Sequence, residues 1–262
     1  MTAQQSAQAK LSQEDVAFQR GLYQDGNATR RGLHVQRRDW VLSKAAYYSQ
    51  PGDRVLEVGV GCGVFTEAVA ATGRRISAVD INPAFLANVR DLADVKTYLL
   101  DATQPLGLDE HDLALCSEVL EHVPSDRSEA LLAAVAGALR PGGIFVLTTP
   151  QRYATVEMFA GLFRFKPVLA IARKIYGHAE PLGHINLLTA TELEGQIRRA
   201  GFNVVERRRF GFYLPIIAEF GGAGGASFLK LLDRKIASLP ILRNLLWTQG
   251  WVLRKLEAAP LA

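Results

Sequence analysis

The chain has 262 residues, long enough to bury a full core as one large domain or as a domain with a sizeable insertion. Its 48% hydrophobic and 21% charged residues are ordinary for a globular protein, and the net charge of +4 permits an anionic partner without demanding one. Two cysteines, Cys62 and Cys116, exclude a disulfide framework. The start lacks the apolar stretch of a secretory signal, and no uninterrupted run of roughly eighteen apolar residues occurs, so a cytoplasmic protein with free thiols is expected.

Residues 1–32 are polar and poorly patterned and read as a flexible arm, with one domain over 33–262. The spacing of Leu33, Trp40, Val41, Ala45 and Tyr48 predicts a helix, stopped by "QPGD". Strands are predicted at "RVLEVGV", "RISAVDI", "VKTYLLD", "HDLALCS" and "GIFVLTTP", with helices between them at Val64–Ala71, Pro83–Leu92 and Ser125–Leu139. That alternation argues for an α/β fold with a parallel sheet covered on both faces.

After Pro150 the rhythm breaks. Residues 151–188 read as a lid-like insertion, in which Met158, Phe159, Leu162, Phe163, Val168, Leu169, Ile171 and Ile175 are interspersed with Arg164, Lys166, Arg173 and Lys174. Such a mix suits a water-excluding lid, a membrane-interface segment, or a helix pair packed on the scaffold. "TATELEGQIRRAGF" then predicts a helix starting near Thr189 or Thr191, with Thr191 and Glu194 at capping-box spacing. "VERRRF" reads as a solvated strand edge and argues against a nucleic-acid tract. A second insertion spans about 213–244, with "GGAGGAS" expected as a flexible hinge. The tail "LLWTQGWVLRKL" reads as a last strand, with an amphipathic helix as the rival.

The chemistry concentrates at strand ends. In "EVGVGCG" the glycines Gly59, Gly61 and Gly63 let a ligand lie against the backbone, but Val64 stands where the dinucleotide fingerprint has its third glycine. Asp80 ends the second strand about twenty residues on, where a carboxylate can accept ribose hydroxyls. Asn82 is the better cap for the helix that follows. Asp101 ends the third strand, placed for an exocyclic amino group of adenine.

Taken together, "VLEVGVGCG", "AVDINP", "LLDAT", "CSEVLEHVP" and "LRPGGIFVLTTP" resemble class I S-adenosylmethionine-dependent methyltransferases, nearest to the ubiquinone-biosynthesis-type branch with its E-x-L-E-H-V after the fourth strand. The likeness covers about residues 33–150, and "GHINLLTATELEGQIRRAGF" extends it. It implies a three-layer Rossmann-like fold whose seven-stranded, mostly parallel sheet has one antiparallel strand. S-adenosyl-L-methionine is the implied cofactor. By the same resemblance, Gly59, Gly61 and Gly63 would line the methionine moiety, with Glu57 supporting the loop. Asp80 would bind the ribose, Ile81 would pack on adenine, and Asp101 and Ala102 would recognise its edge. Ser117 and Glu118 would sit at the sulfonium end, and Arg37 or Arg38 would meet the methionine carboxylate.

A sulfonium methyl is already activated, so alignment is the main task, and a base matters only for a protonated acceptor. His184 and His122 are the candidate bases, and His34 and His111 read as scaffold. No metal site is expected, since His178 and His184 bracket "AEPLG" without further support. The fourth strand ends in "CSEV" instead of the N/D-P-P-Y/F motif of enzymes that methylate base amines. The expectation is therefore methylation of a small or lipid-linked acceptor at oxygen, with peripheral membrane contact and no nucleic-acid partner. The rivals are a silent cofactor-binding module acting through a protein partner and a nicotinamide-dependent oxidoreductase. The sequence gives no reading of oligomeric state.

Overall fold

A computed structural model describes residues 14–162, 165–167, 170 and 183–257. Residues 14–22 are helical (α1), and α2 follows at Ala28–Tyr48. The stretch 14–32, expected within a flexible arm, is therefore largely helical. Asn27 caps α2 by accepting from the backbone N–H groups of Thr29 and Arg30. Leu33, Arg37, Trp40, Val41 and Ala45 form its buried stripe.

The strands are β1 (Arg54–Val58), β2 (Arg75–Asp80), β3 (Val95–Leu99), β4 (His111–Ser117), β5 (Leu139–Pro150), β6 (Phe202–Phe210) and β7 (Thr248–Lys255). They form one sheet in the order β3-β2-β1-β4-β5-β7-β6. β1 to β5 run parallel, and β7 lies antiparallel between β5 and β6. The expected mostly parallel sheet is thus present, and the tail is the antiparallel strand.

Successive β4 residues go to opposite sides. Leu113 and Leu115 join a core with Trp40, Val41 and Phe65, whereas Ala114 and Cys116 join one with Leu131, Leu193 and Trp251. Both sides are covered, which is why the strands read as continuous apolar runs. The first side is closed by α2 and α3 (Val64–Ala70), the second by α5 (Ser128–Ala138) and α7 (Ala190–Arg199). Between them in the chain lie α4 (Pro83–Ala87) and α6 (Thr155–Gly161). α8 (Pro215–Phe220) and α9 (Gly222–Ala237) cover the α2 side near β6.

Two local expectations are corrected. The capping box of α7 is Thr189 with Glu192, one Thr-x-x-Glu pair earlier than expected. The "GGAGGAS" stretch is helix, not hinge. A Cβ on Gly221 or Gly225 would lie 2.5 or 2.7 Å from the carbonyl oxygen of Ile217, so these glycines let α9 fold tightly back on α8. "VERRRF" is an edge strand, as its pattern implied, except that Arg209 is buried. Of the 151–188 insertion, α6 is described, while Phe163, Arg164, Val168, Leu169, Ile171, Arg173, Lys174, Ile175 and His178 lie outside the described residues. Among the described residues no helix is long and apolar enough to cross a membrane.

Candidate active site

β1 and β4 are adjacent although α3, β2, α4 and β3 separate them in the chain. Their C-terminal ends form the switch point where open α/β sheets bind ligands. A cleft of about 540 Å³ opens there, lined by the glycine loop, the β2, β3 and β4 ends, α1 and the segment around His184.

The loop is held from below. Glu57 is 2% exposed and accepts from the Thr66 hydroxyl at 2.6 Å, which ties the end of β1 to the first turn of α3. Burial pushes the Glu57 carboxyl up to about 8. Gly59 has φ +80°, and a Cβ there would lie 2.2 Å from a Val119 methyl, so only glycine fits. Gly61 lies under the Gln19 side chain of α1. α1 therefore closes one side of the cleft with Phe18, Gln19 and Leu22, and Arg20 donates to the Cys62 carbonyl at 2.9 Å.

Asp80 organises the same loop. Its Oδ2 accepts from the backbone N–H of Val60 at 2.8 Å and of Gly61 at 3.4 Å, and its Oδ1 accepts from Asn82 N–H at 2.8 Å. Burial nevertheless raises its pKa, against the pull of these N–H groups. Asn82 caps α4, as expected, but this does not leave Asp80 unengaged: three of its roughly four acceptor positions are taken. Asp101 sits on the cleft rim with Oδ1 engaged by the Thr103 N–H and hydroxyl, bonds that hold its pKa down. Ile81 is 72% exposed beside it and Ala102 is buried. Gly59, Gly61, Asp80, Ile81, Asp101 and Ala102 all line one cleft, whereas Gly63 is not part of its lining and packs against Val89 and Asn88.

The β4 side is built differently. Ser117 shares a hydrogen bond with the Thr148 hydroxyl at 2.9 Å. Glu118 has φ +58°, a left-handed strain on a non-glycine residue at the cleft wall, and pairs with Arg37 at 3.0 Å. Arg37 also contacts His34 Nδ1 at 3.0 Å and lies over the Trp247 ring at 5.5 Å. Of the two arginines considered, Arg37 lines the cleft, while Arg38 pairs with Asp39 at the surface. His34, read as scaffold, also lines the cleft, its pKa lowered to about 3 by burial and by Arg37.

Behind Glu118, the turn Leu120–His122 buries Glu121 completely. Glu121 accepts from the Thr149 hydroxyl at 3.1 Å, and burial with Glu118 nearby raises its pKa well above the usual carboxylate range. Oε1 of Glu118 and of Glu121 is buried with no hydrogen-bond partner among the described residues. The backbone N–H groups of Ile185 and Asn186 donate to the Glu121 carbonyl at 2.9 and 3.1 Å, which docks the end of the insertion on this turn. His184 consequently faces His122, with ring centroids 5.4 Å apart. Burial and His184 lower the pKa of His122. His184 Nδ1 lies 2.9 Å from Glu157 Oε1, the same oxygen that accepts from Trp247 Nε1 at 2.9 Å. Glu157 and Trp247 escaped the sequence reading, since neither belongs to a motif and α6 and the residue just ahead of β7 come from distant segments. Glu121, His122 and His184 also place ligand-type atoms within 4.8 Å of one another.

A seven-stranded sheet of this order with a glycine loop and acidic strand ends is the Rossmann-like methyltransferase architecture. The chain belongs to the methyltransferase-domain family, which matches residues 31–207. It is 27% identical over 210 residues to a ubiquinone biosynthesis O-methyltransferase of Burkholderia pseudomallei, covering 75% of this chain and 84% of that protein. It is 33% identical over 139 residues to the protein so named in Xanthomonas campestris, covering 49% of this chain and only 56% of the Xanthomonas protein. Among solved structures, N-methyltransferase NodS of Bradyrhizobium japonicum with S-adenosyl-L-homocysteine is similar at TM-score 0.57 and 16% identity, over 95% of this chain and 98% of that one. The [4+2]-cyclase SpnF matches at TM-score 0.57 and 19% identity, over 89% and 85%. A cyclase on the same scaffold means that the architecture alone does not choose the reaction.

Proposed function

We propose that the protein transfers the methyl of S-adenosylmethionine to a hydroxyl of a small, apolar, ubiquinone-type acceptor. The observation that carries this reading is one cleft lined both by Gly59 and Gly61 with Asp80 and Asp101 and by His184, whose Nδ1 contacts the buried Glu157. The family and the names of the Burkholderia and Xanthomonas relatives support it from outside.

The cofactor roles follow from free valences. Asp80 Oδ1 keeps an acceptor position for a ribose hydroxyl, and Asp101 Oδ2 is available to the adenine amino group. Ile81 covers one adenine face, with Ala102 at its edge. Gly59, Gly61 and Gly63 pass the methionine moiety, Glu57 braces the loop, and Arg37 meets the carboxylate. Ser117 and Glu118 stand at the sulfonium end.

On the acceptor side, Nδ1–H of His184 donating to Glu157 leaves Nε2 as the proton-accepting nitrogen. A base oriented by a carboxylate is the arrangement that removes a hydroxyl proton as the oxygen attacks. His122, held neutral by its surroundings, orients the acceptor beside it. The trio Glu121, His122 and His184 supports a second means of activation, since it is a donor set for one divalent cation, which would lower the hydroxyl pKa. The exposed Met158, Phe159 and Phe165 next to Lys166 support a face that meets an apolar phase, where such an acceptor resides.

Incubation with methyl-labelled cofactor and catechol-type acceptors of increasing apolarity, read by mass spectrometry, is the test. A product heavier by one methyl, formed faster on the more apolar acceptors, is expected. Cofactor binding without transfer to any hydroxyl would leave the silent-module reading, and a chelator that abolishes turnover would assign activation to a cation.

A further inference from the structure

Away from the cleft, β6, α9 and the turn Leu242–Leu245 enclose a second cavity of about 370 Å³ that shares no lining residue with the first. Arg207, Arg208, Arg209, Lys230, Arg234 and Arg243 line it, with Asp233 as its one carboxylate among the described residues. Arg207 is compensated by Glu194 at 3.0 Å. Asp233 is occupied elsewhere: Oδ2 accepts from the Gln36 amide at 3.0 Å and Oδ1 from the Gly211 N–H at 3.1 Å. Among the described residues it makes no ion pair, so five cations share one carboxylate that touches none of them.

Arg209 is the most informative of the five. It is only 8% exposed, and its guanidinium donates to the neutral amide of Asn244. Burial with Arg243 and Arg207 alongside pulls its pKa down to about 10, which still leaves a full positive charge at neutral pH. Arg243 Nε is buried with no hydrogen-bond partner among the described residues. Buried cations are ordinarily paired, and an edge strand needs no buried arginine to stay soluble.

We propose that this cavity binds a phosphate group. Guanidinium forks from two sides match phosphate oxygens in pairs, and Lys230 and Arg234 on α9 add charge at the mouth. The volume admits a phosphate ester with a small organic remainder. The group comes either from a soluble phosphate ester or from a lipid headgroup. Ile241, 82% exposed just ahead of Arg243, gives the lipid source an apolar rim. The site is independent of the methyl-transfer reading.

The test uses the full chain at fixed ionic strength. Thermal unfolding is followed as chloride is replaced by inorganic phosphate and then by glycerol phosphate. In parallel, the protein is sedimented with phosphatidylcholine vesicles with and without phosphatidylglycerol. The double variant R208Q/R234Q removes two exposed cations of the cavity, and R90Q/K96Q removes the same charge on the β3 side of the sheet. A saturable rise of several degrees in Tm with phosphate is expected, about tenfold weaker in R208Q/R234Q and unchanged in R90Q/K96Q. A soluble ligand is indicated if glycerol phosphate suffices, and a lipid one if only phosphatidylglycerol vesicles carry the protein down and R208Q/R234Q abolishes it. No preference for phosphate over chloride and no pelleting would overturn the proposal, as would equal losses in the two double variants.

Discussion

The two walls of the cleft are built on opposite terms. On the β1–β2 wall, the backbone does the shaping: glycine conformations, a capped helix and an aspartate that takes three N–H bonds. On the β4 wall, side chains do it, with a strained glutamate, a buried glutamate whose pKa burial raises and two facing imidazoles. The first wall is rigid and suited to holding one shape. The second holds buried lone pairs without partners among the described residues, and is suited to chemistry.

The largest expected effect lies on the second wall. His184→Ala is expected to lower kcat by about a thousandfold, within the range for losing a general base, with little change in cofactor affinity. Steady-state kinetics with calorimetry checks both, and an equal loss of binding would erase the distinction between the walls. On the first wall, Gly59→Ala sets a Cβ against Val119 at φ +80° and is expected to cost about 3 kcal/mol in urea unfolding while abolishing cofactor binding. Asp80→Asn replaces an acceptor of three N–H bonds by an amide and is expected to weaken S-adenosylhomocysteine about thirtyfold, a factor one charged hydrogen bond accounts for.

The smallest effect sharpens the contrast through pH. The Glu57 carboxyl, with a folded pKa near 8 against an ordinary 4.5, takes up a proton on folding between those values. Stability from this residue is therefore full below pH 4.5 and declines as pH rises to 8. Glu57→Gln is expected to flatten the decline toward pH 8 in urea melts. A variant that keeps the wild-type slope would show that Glu57 is charged in the fold.

The first wall was legible in the sequence because its causes are local. Three alternating glycines, a strand-end aspartate and a capping asparagine each act within a few residues of where they stand. The second wall was legible only as a motif. Glu157 and Trp247 meet at one carboxylate oxygen from segments that no sequence pattern links. Elsewhere, two overlapping Thr-x-x-Glu pairs, Thr189–Glu192 and Thr191–Glu194, fit the capping rule equally, and only the docked helix chooses the first. Composition marked "GGAGGAS" as coil, but its contact with Ile217 makes small residues a requirement of helix packing. Arg37 and Arg38 differed only in helix face, which became decisive once α2 packed against the sheet.

The central claim is that the glycine loop, Asp80 and Asp101 converge on one adenosyl group. Calorimetric titration of the wild-type protein with S-adenosylhomocysteine and, separately, with NAD tests it most directly. One-to-one binding of the homocysteine compound is expected, weakened by Asp101→Ala as well as by Asp80→Asn, with no heat from NAD. Tight NAD binding with none of the homocysteine compound would contradict it.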